Sequence, residues 1–250
     1  MKTKSLLIGL FVMVALVASA QKSAPIKVLF VGNSFTYFYN LPQVVTSMGE
    51  TQGITIVTRQ STVGGSNLEQ HWKQERGTKT MRLLDSTKWD YVVFNNHSTS
   101  SIENPAAFQE YGKKFADLVK SKGGKPVFMM TWAYKSNPLM QSKISEEHEK
   151  LAKDTGALLV PAGYVFQKAR QWRPDLEMFF DDKHPSSNGT YILGLTFYKF
   201  FSGQSVMNIP SRLTMKDRNM ELLYLIFMSD ENAVFCKQLV EEFDMKSAAK

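Results

Sequence analysis

Five short apolar runs, separated by glycines, polar loops and stretches of helical periodicity, set the tightest limit on what this chain can fold into. Ile26-Lys-Val-Leu-Phe-Val31 ends at Gly32, and Ile54–Thr58, Tyr91–Phe94, Pro126–Thr131 and Ala157–Val160 follow it. Between them the sequence predicts helices from Asn40-Leu-Pro42 to about Thr51, over Ser66–Gln74 and Lys79–Asp85, from Asn104-Pro105 to about Ser121, and near Pro138–Thr155. Asparagine ahead of an early proline is a helix-start signal. Phe108, Tyr111, Phe115, Leu118 and Val119 then recur on one side of the longest of these helices. Parallel strands need crossover connections, and the crossovers place helices on both faces of the sheet. The expected fold class is therefore α/β, a flavodoxin-like three-layer α/β/α sandwich with a five-stranded parallel sheet in the order 2-1-3-4-5. A strongly apolar helix near Asn188–Phe201 follows the last strand, and the tail from Thr214 reads as two further helices.

The first twenty residues read differently. Lys2 and Lys4 precede a nearly unbroken apolar run from Leu6 to Val17, and Ala18-Ser-Ala20 supplies small residues at the A-x-A spacing. This is the pattern of a secretory signal peptide cleaved near Ala20, and the run is too short for a spanning helix. No cysteine follows it for a lipid anchor, and the expected location is periplasmic or extracellular. Residues 21–250 are expected to form a single domain, with a helical tail over 210–250 packed on it.

The chain has 250 residues, of which 43% are hydrophobic, enough for a sizeable core. Its one cysteine, Cys236, excludes an internal disulfide framework and reads as a small core residue. Setting aside residues 1–20 leaves 28 basic against 23 acidic side chains, a net +5. Those basic residues are scattered, so a nucleic-acid groove has no support, and no later stretch is long and apolar enough for membrane insertion.

In open α/β sheets ligands bind beyond the carboxyl ends of the strands, and four segments stand there. Gly32-Asn-Ser-Phe-Thr36 follows the first strand, with Ser34 near a helix start whose amides favour negative charge. Alone it is more readily an ordinary turn serine or cap. Asp181-Asp-Lys-His-Pro185 places a carboxylate three residues before an imidazole, a spacing that can orient the ring and leave its other nitrogen free to take a proton. A serine is a poor nucleophile without a base, so each segment gains meaning from the other. Thr62-Val-Gly-Gly-Ser-Asn67 is a turn or an oxyanion loop whose Gly65 presents a bare N–H. Asn95-Asn-His-Ser98 offers two adjacent side-chain amides, which are either oxyanion donors or turn residues. Alternation along a strand points adjacent side chains to opposite faces. One asparagine should therefore reach the site, with Asn95, which continues the strand directly, as first choice.

Gly-x-Ser-Phe after strand one, glycine after strand two, an amide after strand three and D-x-x-H near the end together resemble the SGNH, or GDSL-type, esterase and lipase superfamily over about residues 26–202. The nearest variant is a secreted bacterial branch with G-N-S-F-T in place of G-D-S-L. The resemblance implies an acyl-ester hydrolase with an acyl-serine intermediate and neither metal nor cofactor. By position, Ser34 matches the nucleophile, His184 the base and Asp181 the acid that orients it. Ser34 and Gly65 match oxyanion donors, with Asn95 or Asn96 as the third and His97 as a lesser candidate. Two departures stand out: Asn33 replaces the usual aspartate, and Phe94-Asn-Asn-His-Ser98 replaces G-x-N-D.

Competing motifs fit worse. Thr36 occupies the second glycine position of a G-x-S-x-G elbow, and neither nucleotide-binding glycine pattern occurs. His71, His97, His148 and His184 form no metal-ligand spacing, and His148, set among charges, reads as a surface residue. Tyr37, Phe38, Tyr39, Trp72 and Trp132 read as core packing or as a platform for a sugar or acyl group. The resulting expectation is a secreted hydrolase of small-molecule or polysaccharide esters that deacetylates acylated carbohydrate. The alternatives are a lipase or thioesterase of the same fold, or an inactive glycan-binding module.

Overall fold

A computed structural model of the protein describes residues 24–245. The proposed signal peptide lies outside the described residues. Five parallel strands, β1 (Ile26–Gly32), β2 (Ile56–Thr62), β3 (Tyr91–Phe94), β4 (Lys125–Met129) and β5 (Leu158–Val160), form one sheet in the order β2-β1-β3-β4-β5. This is the expected topology. β1 lies inside the sheet because its side chains from Val28 to Val31 are apolar on both faces and fully buried.

Strand alternation divides those side chains between two cores. Val28 and Phe30 pack in one core, which also takes side chains from the helices Leu41–Thr51, Ala162–Trp172 and Ser187–Ser202. Leu29 and Val31 pack in the other, shared with the helices Pro105–Ser121 and Met140–Thr155. Phe30 meets Phe197 edge to face at 5.2 Å, and Phe94 lies 4.9 Å from Phe115. Burying side chains of this size contributes about 2–3 kcal/mol each. Both layers thereby hold the sheet's carboxyl edge in place.

The helix starts follow local chemistry. Asn104 caps the amide of Ala107, with Pro105 in the first turn. Asn67 and Gln70 form a reciprocal capping box at Leu68–Trp72. The helix Ala162–Trp172 lacks such a start signal, since Pro161 at its N-cap offers no side-chain cap, and it is an addition to the elements expected from the sequence.

The tail departs from expectation. Its first part is an antiparallel hairpin, β6 (Arg212–Lys216) and β7 (Leu222–Phe227), and only its second part is a helix, Asp230–Glu242. Asp217 Oδ1 accepts from the amides of Asn219 and Glu221 and closes the hairpin turn. Leu213, Leu225 and Ile226 enter the first core, whereas Leu222, Tyr224 and Phe227 face outward. Ser47 Oγ donates to the Thr214 carbonyl at 2.9 Å and ties the hairpin to the sandwich. Among the described residues no helix is long and apolar enough to cross a membrane.

Candidate active site

β1 ends at Gly32 beside Asn95, and this contact requires glycine: a Cβ there would lie 1.7 Å from Asn95 Oδ1. The amide of Asn95 occupies that space with all its bonding capacity engaged. Its Nδ2 donates to Asn33 Oδ1 at 2.8 Å and to the Asn96 carbonyl at 3.0 Å. Its Oδ1 accepts from the Asn33 amide at 3.2 Å and the Thr36 hydroxyl at 2.5 Å. Asn33 in turn caps the short helix Ser34–Tyr37 by accepting from the Phe35 amide, and its Nδ2 donates to the carbonyls of Ser66 and Asn96. An aspartate could not make those last two donations. Asn33 thus ties the loops after β1, β2 and β3 together, and Ser34 stands at the first position of the helix it caps.

A second buried cluster, not anticipated from the sequence, lies behind this one. His71 Nε2 is 3.0 Å from the Gly32 carbonyl and 2.9 Å from Ser66 Oγ, which also donates to Gly32, and His71 Nδ1 is 2.7 Å from Thr80 Oγ1. Burial outweighs the bond to Gly32 and brings the His71 imidazole down to about 4, so the ring is neutral. Its spacing from buried Leu68, three residues earlier on a well-capped helix, was the available signal.

The loop before the helix Ser187–Ser202 carries the other half of the site. His184 Nε2 lies 2.8 Å from Ser34 Oγ, and His184 Nδ1 lies 2.6 Å from Asp181 Oδ2. Asp181 Oδ1 accepts from the amides of Lys183 and His184 at 2.8 and 2.7 Å. Burial works against the Asp181 charge, but the imidazole and the two amides outweigh it and hold the carboxyl at about 2. Phe38 stacks on the His184 ring at 4.2 Å and Phe35 meets its edge at 5.8 Å. Trp132 Nε1 donates to the Lys183 carbonyl at 2.9 Å and stacks on Phe35, so the two halves share one aromatic wall. Of the aromatics singled out in the sequence, Trp132 is core, Trp72 packs on Phe115, and Phe38 faces the site.

Ser34 and His184 open into a cleft of about 400 Å³ that Gly64, Gly65, His97 and Lys183 also line. Gly65 has φ +66°, a left-handed conformation that suits glycine. Among the described residues, the amides of Ser34 and Gly65 make no hydrogen bond within the chain. Asn96 Oδ1 accepts from the amides of Leu68 and His97, both at 2.9 Å, which leaves Asn96 Nδ2 as the amide donor without a partner. The preference for Asn95 is therefore corrected: its side chain is fully engaged in bracing the turn at Gly32. His148 is likewise buried rather than on the surface, with Nδ1 2.7 Å from the Ile144 carbonyl and the ring against Phe108. Cys236 is a core residue, as expected.

No family model matches the sequence, and no curated protein is detectably similar to it. Solved structures are similar in fold. A DUF4886 family protein from Bacteroides uniformis shares 20% identity at a TM-score of 0.67, over 87% of this chain and 94% of that one. A protein from Slackia heliotrinireducens described as an SGNH hydrolase shares 23% identity at 0.61, over 71% of this chain and all of the other. An acetyl xylan esterase, AlAXEase, shares 15% at 0.59, over 70% and 99%. The strand order, the crossover helices and these likenesses agree, and the fold of this chain is that of the SGNH/GDSL-type hydrolases.

Proposed function

We propose that the chain is a serine ester hydrolase in which Ser34 is the nucleophile, His184 the general base and acid, and Asp181 the group that orients His184. The observation that carries this reading is the unbroken hydrogen-bonded chain from Ser34 Oγ through His184 to Asp181 at the carboxyl edge of the sheet. Asp181 accepts a hydrogen bond from His184 Nδ1–H and keeps the proton on that nitrogen, so Nε2 keeps its lone pair toward the serine. As Ser34 Oγ bonds to the ester carbonyl carbon, its proton passes to His184 Nε2. The carbonyl oxygen becomes negative, and the Ser34 and Gly65 amides with Asn96 Nδ2 are the donors assigned to it. The bond to the alcohol oxygen then breaks, the alcohol leaves with the proton from His184, and water repeats the sequence to free the acid and Ser34.

The reading extends to substrate and location. Esters of carbohydrate, acetyl esters above all, are the assigned class, supported by an open cleft in which His97, Ser98 and Lys183 stand beside Ser34 and by the fold shared with an acetyl xylan esterase. Export rests on the signal-peptide pattern of residues 1–20. A series of p-nitrophenyl esters of rising chain length, followed by acetylated polysaccharides, tests this. Fast hydrolysis of short acyl chains and release of acetate are expected. A preference for long chains, or no ester turnover at all, would overturn the substrate or the enzyme assignment respectively.

A further inference from the structure

We propose that His97 Nε2 is a fixed hydrogen-bond acceptor for a hydroxyl on the alcohol part of the substrate, so that the site selects esters of sugars and polyols with a free hydroxyl beside the ester. The inference rests on the ester-hydrolase reading and adds a specificity residue to it.

The argument is one of proton inventory. His97 lines the cleft with Ser34 and His184. Its Nδ1 lies 3.3 Å from Thr99 Oγ1, which lies 2.6 Å from Glu103 Oε2. A threonine hydroxyl has one proton and a carboxylate can only accept, so that proton goes to Glu103 in the shorter, charge-assisted bond. Thr99 Oγ1 then accepts from His97 Nδ1–H. Burial first, and Lys183 next, hold the imidazole below the ordinary histidine range against the pull of Glu103, so the ring is neutral in neutral solution. A neutral imidazole has one N–H, and with it on Nδ1 a lone pair remains on Nε2.

That nitrogen has no hydrogen-bond partner among the described residues. The loop beneath the ring is fixed, because the His97 amide donates to Asn96 Oδ1 at 2.9 Å. A lone pair beside a developing oxyanion is repulsive, so His97 in this tautomer does not serve as a third oxyanion donor. Its partner must itself bring a proton. A fatty acyl ester of a simple alcohol carries no such donor, whereas a partly acylated sugar carries hydroxyls next to the ester.

The test uses the purified protein and two probes: a monoacetylated methyl glycoside with its neighbouring hydroxyl free, and the matched deoxy analogue lacking that hydroxyl. The wild type should favour the first by about tenfold in kcat/KM, the size of one hydrogen bond to a site that otherwise leaves its acceptor unpaired. His97→Ala should bring the ratio to within about twofold. Thr99→Val, which keeps the ring but releases its tautomer, should also lower the ratio, an effect a merely structural role would not confine to one substrate. The wild-type ratio needs no variant to fold. Ser34-dependent hydrolysis of p-nitrophenyl acetate without preference for the hydroxyl-bearing glycoside overturns this inference alone. An equal fall of both probes in His97→Ala also overturns it. Absence of any ester hydrolysis overturns the ester reading beneath it.

Discussion

The two halves of the site are built from opposite materials. The Ser34 half is neutral and buried: Asn33 is 2% exposed and Asn95 1%, and they are joined by reciprocal amide bonds. The Asp181–His184 half is ionic and open, with the His184 side chain 16% exposed and the Asp181 side chain 44%. In the first, nearly every polar group is satisfied within the protein, so breaking one bond leaves a buried partner unpaired. In the second, solvent can replace much of what is lost. Substitutions in the first half should therefore cost folding stability, and those in the second should cost activity while leaving the fold intact.

The largest expected effect falls where the halves meet. Ser34→Ala or His184→Ala should lower turnover by about 10⁴ to 10⁶, with the double variant little worse than either, because the residues act as one unit. Steady-state kinetics with thermal melts would check both parts, and a tenth of wild-type activity in Ser34→Ala would remove it as the nucleophile. Next in size, Asp181→Asn should lose about 10⁴ in turnover, as the amide favours the wrong imidazole tautomer. Its melting temperature should barely move, and a large drop there would break the contrast from the exposed side.

The asparagine pair sharpens it from the buried side. Asn96→Ala should lose about 10² to 10³ in turnover, the share of a single oxyanion donor. Asn95→Ala should instead destabilise by about 3 kcal/mol, since Asn33 and Thr36 lose buried partners. Asn96→Ala should cost stability too, because the amides of Leu68 and His97 lose their acceptor. Kinetics on the folded variants therefore separates the two, and a smaller turnover loss in Asn96→Ala than in Asn95→Ala would contradict the assignment.

The smallest expected effect is a pH slope in stability. Burial holds His71 and His148 at about 4 in the folded protein, below the ordinary value near 6.5 of an unfolded chain. The unfolded state therefore takes up protons first as pH falls. Stability is full above about 6.5 and is lost progressively down to about 4, by roughly 1–2 kcal/mol per histidine at pH 5.5. His148→Leu should remove about half of that slope in urea titrations at pH 7.5 and 5.5. An unchanged slope would mean that His148 does not stay neutral in the fold.

Much of this was legible in the sequence for definite reasons. The interior strand β1 was plain because it is apolar on both faces, and the strand order followed from the crossovers. Ser34, His184 and Asp181 stood out because a hydroxyl, an imidazole and a carboxylate fell beyond strand ends of one inferred sheet. The hairpin β6–β7 was not legible: Leu222-Leu-Tyr-Leu-Ile-Phe-Met228 is a continuous apolar run, and periodicity cannot tell such a strand from a buried helix. The engagement of the Asn95 side chain with Asn33 and Thr36 was not legible from either segment. The space that Gly32 leaves for it is a property of two loops brought together, not of either segment alone. His148 was misread from its charged neighbours, although Ile144, His148, Leu151 and Thr155 share one helical face, and all four are buried.

Covalent labelling with a fluorophosphonate, followed by intact-mass measurement and peptide mapping, tests the assignment of Ser34 most directly. One adduct per chain is expected, on the peptide containing Ser34, absent in Ser34→Ala and strongly slowed in His184→Ala. An unlabelled wild-type protein, or an adduct on any other residue, would contradict the assignment of Ser34 as an activated nucleophile.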